Sequence, residues 1–227
     1  LYEQSLKEIN LQRPHVLSAE AEALLAQASE VMGTASNTFG MLNNADLRFP
    51  SIKDENGEEV ELTHGRYSRF LESSNRQVRE EAFKAMYKTY GQYRNTFAST
   101  LSGTVKKDNF YAKVRHYDSA RHAALSNNNI PETVYENLIN SIHNNLPLLH
   151  RYVKLRKKLL GVDELHMYDL YTPLVKDVKM EISFEEAKEY ILKGLKPLGE
   201  DYINVLKEGF ENRWVDVHEN RGKRSGA

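Results

Sequence analysis

A mainly α fold is predicted: an elongated multi-helix body with one small β-hairpin and a C-terminal edge strand. Three observations predict it. The 227 residues include 12 glycines and 6 prolines, few turn-formers for the length, which favours long helices. Apolar residues recur at helical spacing through several long stretches. Strand-like alternation surrounds a single Asn-Gly pair.

The first helix is predicted over residues 18–42. Ser18 can cap it, and Glu20 and Glu22 place negative charge at the positive end of its dipole. Leu24, Leu25, Ala28, Val31, Met32, Ala35, Phe39 and Leu42 form its apolar stripe, although Gly33 and Gly40 weaken it from within. The period then changes. Leu47, Phe49 and Ile52 lead into Asp54-Glu55-Asn56-Gly57, and Val60 and Leu62 alternate with Glu59 and Glu61. This reads as a hairpin, either a flap over a cleft or an ordinary surface element.

Residues 76–115, capped by Asn75, read as one long helix or two end to end. Val78, Ala82, Phe83, Met86, Tyr90, Tyr93, Phe97, Leu101 and Val105 trace its apolar stripe. A single rod of that length would run roughly 60 Å and form the spine of the body. Ser126-Asn127-Asn128-Asn129-Ile130 breaks the pattern, and Pro131 suits a first helical position. The next helix carries Val134, Leu138, Ile139, Ile142, Leu146, Leu149, Tyr152 and Val153, with Gly161 as its stop. Arg151, Lys154, Arg156, Lys157 and Lys158 crowd its end, where positive charge opposes the dipole; phosphate binding is the other reading. Ser183 and Glu186 match a capping box, with Ile182 as a staple, before a short helix to about residue 194. Another helix is expected from about Leu198 to Gly209, then a strand over residues 213–217.

Composition narrows the function classes. Lys and Arg total 31 against 32 Asp and Glu, so the formal charge of −1 supplies no field for nucleic acid or an anionic membrane. No run of apolar residues is long enough to span a bilayer, and the first residues carry no signal pattern. Cysteine is absent, which excludes disulfides, cysteine metal ligands and a cysteine nucleophile, and fits a reducing compartment. The length suits one large domain or two small ones.

A zinc-peptidase helix needs His, Glu and a second His at i, i+1 and i+4, the spacing that sets both imidazoles on one face. The only His-Glu pair is His218-Glu219, and Gly222 stands where the second histidine would be. His143 and His150 are two turns apart on one predicted helix, too far for one metal. There is no nucleophile elbow, phosphate loop or dinucleotide-binding glycine pattern. Tyr168 and Asp169 could pair a hydroxyl with a carboxylate. The residues alone complete no active site.

Several segments nevertheless resemble one family. Ala35-Ser36-Asn37-Thr38-Phe39 and Leu42-Asn43-Asn44-Ala45-Asp46-Leu47-Arg48-Phe49-Pro50 are similar to oligoendopeptidase F. So are Tyr117-Asp118-Ser119-Ala120, Asn128-Asn129-Ile130-Pro131, His166-Met167-Tyr168-Asp169-Leu170-Tyr171 and the segment from Asp216 to Ala227. Oligoendopeptidase F is a bacterial cytosolic zinc metallopeptidase related to thimet oligopeptidase, and the resemblance runs in order over nearly the whole chain.

The resemblance implies a zincin-like helical body split by a deep channel that admits short peptides and excludes folded proteins. It implies cytoplasmic location, short peptides as partners, and zinc as cofactor of the full-length parent. The ligands of that zinc are expected beyond Ala227, so the chain is read as an internal fragment, inactive by itself. Residues 1–115 would be the helical and hairpin part of an N-terminal region, and 116–227 the first part of the peptidase domain. Ser225, Gly226 and Ala227, with small side chains, would let a substrate main chain approach closely. Tyr168, Asp169 and the turn from Asn128 to Pro131 are further candidates for the channel lining. Surfaces exposed by truncation would drive homo-oligomerisation. The competing class is a non-enzymatic helical module that binds peptides or proteins.

Overall fold

The computed structural model describes residues 2–175 and 182–218. The chain divides into two compact units, the first running to Thr172 and the second beginning at Pro173.

The first unit opens with α1 (Glu3–Gln12), which local periodicity did not announce. The stretch expected as one helix is two, α2 (Ala19–Met32) and α3 (Thr34–Met41), joined at Gly33. The Ser18 hydroxyl accepts from Ala21 N–H at 3.3 Å, as its capping position requires. After α3 a π-helical turn covers Leu42–Asp46, closed by Leu47 N–H donating to the Leu42 carbonyl at 2.9 Å. It points Asn43 inward, where its side-chain oxygen accepts from the Tyr90 hydroxyl at 2.9 Å. His64 Nε2 lies 2.7 Å from the same hydroxyl, whose proton goes to Asn43, so the imidazole N–H donates here.

The hairpin forms where the Asn-Gly pair placed it. Strands β1 (Ser51–Lys53) and β2 (Glu59–Glu61) pair antiparallel, Ile52 opposite Val60. Its five-residue connection is pinned by Asp54, whose carboxylate accepts from Asn56 and Glu58 N–H at 2.8 and 3.0 Å. Gly57 sits at φ +82°, a conformation that L side chains rarely adopt. The hairpin is no free flap: Ile52 and the adjoining Phe49 and Leu62 enter the main core. There they meet Phe70 from α4 (His64–Glu72) and Val78, Ala82 and Met86 from α5 (Arg76–Gln92).

Of the two expected arrangements, one rod or two helices end to end, the second forms: the chain breaks at Tyr93 (φ −105°, ψ 14°), and α5 and α6 (Arg94–Val114) are separate helices. Only the first half of the stripe is buried: Leu101 and Val105 on α6 are exposed. Helix α6 passes so close to α3 that a Cβ on Gly103 would lie 2.8 Å from that of Ala35. Its end is tied back to α2 by Arg115, which grips Glu22 with two bonds of 2.8 and 2.7 Å. That bidentate bond holds the Glu22 carboxyl well below its ordinary value, at about 2. The short α7 (Ala120–Ser126) is capped by Ser119, and α8 (Glu132–Leu160) follows with Pro131 one position earlier than expected, at the cap. Gly161, left-handed at φ 66°, stops α8.

The second unit contains α9 (Phe184–Gly194) and α10 (Glu200–Glu211). Ser183 and Glu186 make the expected reciprocal box: Glu186 N–H donates to the serine hydroxyl at 3.2 Å, and Ser183 N–H to the glutamate at 2.8 Å. The expected C-terminal strand over 213–217 does not form. Arg213 instead turns left-handed (φ 61°) and Trp214 N–H donates to the Gly209 carbonyl at 3.0 Å, closing α10 in a six-residue loop. The indole lies against Gly209, where a Cβ would meet it at 2.9 Å. Arginine carries no sequence signal for that conformation. Arg213→Gly is therefore expected to stabilise this unit by about 1 kcal/mol. Fluorescence of Trp214, the sole tryptophan, followed through urea unfolding checks this.

Candidate functional site

The segment from His166 to Tyr171 contributes its residues unequally. Residues Met167–Asp169 form one 3₁₀ turn, stitched at both ends: Asp169 N–H donates to the His166 carbonyl at 2.9 Å, and His166 N–H to the Asp169 carboxylate at 3.0 Å. The turn drives Tyr168 and Asp169 inward and leaves Met167 and Tyr171 exposed at 62% and 64%.

Asp169 is wholly buried, at 0% exposure. One carboxylate oxygen accepts from Arg76 Nε at 3.2 Å and Arg79 Nη2 at 2.8 Å; the other accepts from Arg76 Nη2 at 3.0 Å and His166 N–H. Four donors fill about four lone-pair sites, so no acceptor capacity is left for a tyrosine hydroxyl or a ligand. Burial alone would push this carboxyl up. The two guanidinium groups and the backbone N–H outweigh it and hold the group at about 2, down from 3.8.

Two further arginine contacts complete the knot. Arg79, 4% exposed in its side chain, donates to the carbonyls of Ser73 and Ser74 at 2.8 and 3.1 Å, while its Nε finds no partner among the described residues. Arg156 is also buried. It donates to the Asp169 carbonyl at 2.9 Å and to the Thr172 carbonyl. Arg156, one of the cluster read as helix-end compensation, thus clamps the loop after α8 instead. Helix α5 is thus fastened to the Asp169 carboxylate and α8 to the Asp169 backbone carbonyl, so both are tied to residues 164–172.

Tyr168, 6% exposed, is held by its ring. His166 stacks on one side at 5.0 Å and 14°, Phe83 meets it edge-on at 5.8 Å, and the Arg76 guanidinium lies 5.3 Å from its centroid. Sequence reasoning found Tyr168 and Asp169 but missed Arg76, Arg79 and Arg156. One signal was available: Arg79 lies on the same buried stripe as Ala82, Met86 and Thr89, and a charge on a buried stripe requires a partner.

The Asn128–Pro131 turn closes α7. Asn129 adopts φ 53°, while Ile130 N–H donates to the Leu125 carbonyl and Asn129 N–H to that of Ser126, at 3.0 and 2.9 Å. Asn129 borders an open cleft of about 390 Å³ with Gln4, Lys7, Asn10 and Leu11. Ser225, Gly226 and Ala227 lie outside the described residues. Among the described residues no group of three or more His, Asp or Glu comes together to hold a metal ion, so they do not fit a zinc site. No described helix is long and apolar enough to cross a membrane.

Comparison with known proteins agrees along the whole chain. Residues 69–227 match the family described as Peptidase family M3, and residues 1–49 match one described as Oligopeptidase F. Oligopeptidase PepF of Bacillus subtilis is 67% identical over 227 residues, covering 100% of this chain and 34% of its own length. Group B oligopeptidase PepB of Streptococcus agalactiae is 52% identical over 226 residues, 100% of this chain and 37% of that protein. The crystal structure of oligoendopeptidase-F from Enterococcus faecium superposes with a TM-score of 0.75 at 53% identity, over 93% of this chain and 40% of that one. The chain thus spans about a third of the length of the curated relatives it matches.

Proposed function

Since this chain belongs to peptidase family M3, we propose that it forms part of the channel wall of a cytoplasmic, zinc-dependent oligoendopeptidase that hydrolyses short peptides. One observation carries this reading: 67% identity over all 227 residues to a protein named an oligopeptidase. The zinc ligands are assigned to parts of the protein outside these residues, because the sequence holds no His-Glu-x-x-His and the described residues gather no ligand set.

The chain's own contribution is to bind and orient the peptide. Ser225, Gly226 and Ala227 are proposed to lie along the substrate main chain, where small side chains permit close approach. Tyr168 and Asp169 are proposed as positioning residues of the same wall, with Met167 and Tyr171 as the outward side chains of their segment. Residues 1–115 are proposed as part of the N-terminal region and 116–227 as the first part of the peptidase domain, a division that falls inside the first compact unit. Short peptides, and neither nucleic acid nor membrane, are the partners proposed. The apolar side chains left exposed on α6 and α8 support self-association of the chain.

The test is hydrolysis of a nonapeptide. The 227-residue chain is expected to leave it intact, whereas the same gene expressed to the relatives' length cleaves it until a zinc chelator is added. Chelator-sensitive cleavage by the 227 residues alone would overturn the assignment of the catalytic groups.

A further inference from the structure

The tip of the hairpin holds the chain's single Asn-Gly pair, Asn56-Gly57. Both residues are exposed, and a Cβ on Gly57 would meet nothing within 4 Å. The tip faces water for a reason of its own. Asp54, Glu55, Glu58 and Glu59 crowd their carboxylates around the pair, and covering them without basic partners would leave buried charges unbalanced.

We propose that Asn56 is a site of spontaneous deamidation, a covalent modification that needs only the next residue and water. The backbone nitrogen of Gly57 attacks Cγ of the Asn56 side chain and gives its proton to solvent. A Cγ–N bond forms, the Cγ–Nδ2 bond breaks, and the departing nitrogen takes a proton from water and leaves as ammonia. Water then opens the cyclic imide. Opening at the side-chain carbonyl gives aspartate; opening at the main-chain carbonyl gives isoaspartate, in which the chain runs through Cβ and Cγ. The sum is one water consumed and one ammonia released, with nothing oxidised or reduced.

Three observations put the reaction here. First, every other asparagine precedes a residue with a side chain, whose Cβ obstructs the attacking nitrogen; Gly57 has none. Even Asn140-Ser141, with a small second residue, lies inside α8, where the Ser141 nitrogen belongs to the helical ladder. Second, the Gly57 N–H donates to the Asp54 carbonyl at 3.1 Å, a turn bond at an exposed tip and of the kind that opens most readily. Third, the Asn56 side chain is loosely tethered, with Nδ2 3.5 Å from the Asp54 carboxylate, so Cγ is free to turn toward Gly57.

The product reaches into the fold. Isoaspartate lengthens the main chain between the Asn56 and Glu58 N–H groups, so the Asp54 carboxylate can no longer hold both. Beside it, Glu55 accepts from the Ser73 hydroxyl and from Ser74 N–H. The Ser73 carbonyl in turn accepts from Arg79 and from the Thr172 hydroxyl, at 2.8 and 3.2 Å. Isomerisation at Asn56 therefore loosens the corner between α4 and α5 that braces the Asp169 knot.

The test is a time course at mildly alkaline pH. It is run on the 227-residue chain and on the same gene expressed to the relatives' length, with a urea-unfolded sample beside each. Peptide mass mapping is expected to show the Asn56 peptide of native protein gaining the mass of one deamidation, at a rate within several-fold of the unfolded sample. Every other asparagine of the native protein lags, and an isoaspartyl methyltransferase labels the product. Gly57→Ala slows the conversion several-fold. The aged chain unfolds at lower urea than the fresh one, whereas Asn56→Asp, which brings the charge without the rerouted main chain, keeps most of the stability. Native Asn56 that stays intact while the unfolded samples convert would overturn the proposal. So would earlier conversion of another asparagine, or protection of Asn56 in the longer chain. An aged chain with an unchanged midpoint would overturn the link to the α4–α5 corner. None of these readouts involves peptide hydrolysis, so failure here leaves the peptidase reading where it stands.

Discussion

Asp169→Ala is expected to destabilise the first unit by about 3–5 kcal/mol. The loss is not that of four hydrogen bonds. It arises because Arg79, 4% exposed, keeps its charge while losing the one carboxylate that balances it, with Nε already lacking a partner. Asp169→Asn preserves the shape but turns an amide N–H₂ toward guanidinium donors, so it is expected to be nearly as damaging. Arg76→Ala should be milder, because that side chain is 39% exposed and water can replace it. Urea unfolding of the three variants followed by circular dichroism checks the order; equal midpoints for Asp169→Ala and wild type would show that the knot holds nothing.

The same carboxylate gives the first unit an acid-sensitive component. Its folded value, about 2, lies below the ordinary 3.8. A depressed value means stability that is complete above pH 3.8 and lost as the pH falls toward 2. The difference corresponds to about 2 kcal/mol. Wild type should lose this increment between pH 5 and 2, and Asp169→Asn should not.

Leu62→Ala is the second large effect, expected at about 2–5 kcal/mol. Leu62 is 1% exposed and follows β2 directly, with its N–H 3.3 Å from the Pro50 carbonyl. It joins the hairpin to the cluster of Phe49, Ile52, Phe70, Val78, Ala82 and Met86, so its truncation opens a cavity on which both α4 and α5 border. Leu62→Met, nearly equal in volume, should cost less than about 1.5 kcal/mol. For a unit of this size, Leu62→Ala should lower the melting temperature by roughly 10 °C. A shift no larger than that of Leu62→Met would mean that the hairpin is peripheral after all.

Local chemistry was legible wherever a short stretch of chain settles its own conformation. Ser18, Asn75 and Ser183 cap the helices they were expected to cap, Gly161 ends α8, and the Asn56-Gly57 pair turns the hairpin. The misses follow from competition that periodicity does not register. Gly33 interrupts a stripe that continues in phase across it, so residues 18–42 read as unbroken, while over 76–115 the same in-phase stripe left one helix and two equally open until Tyr93 settled it as two. Arg213 resembles the start of a strand because Val215 and Val217 alternate with polar residues, yet the carbonyls at the end of α10 recruit the Trp214 N–H first. The Asp169 knot joins residues 90 and 93 positions apart, and such a pairing leaves no mark in a window of ten or twenty residues. Tyr168 and Asp169 were singled out first as a hydroxyl–carboxylate pair and again through resemblance; their burial became visible only with the fold.

The central claim is that these residues build and brace a peptide-binding wall while the metal is held elsewhere in the protein. Zinc content per folded chain tests it most directly. After equilibration with zinc and removal of the excess, the 227-residue chain should retain essentially none, and the same gene expressed to the relatives' length should retain one per chain. A tightly held equivalent on the 227 residues would contradict the account, and so would a full-length chain that takes up no zinc.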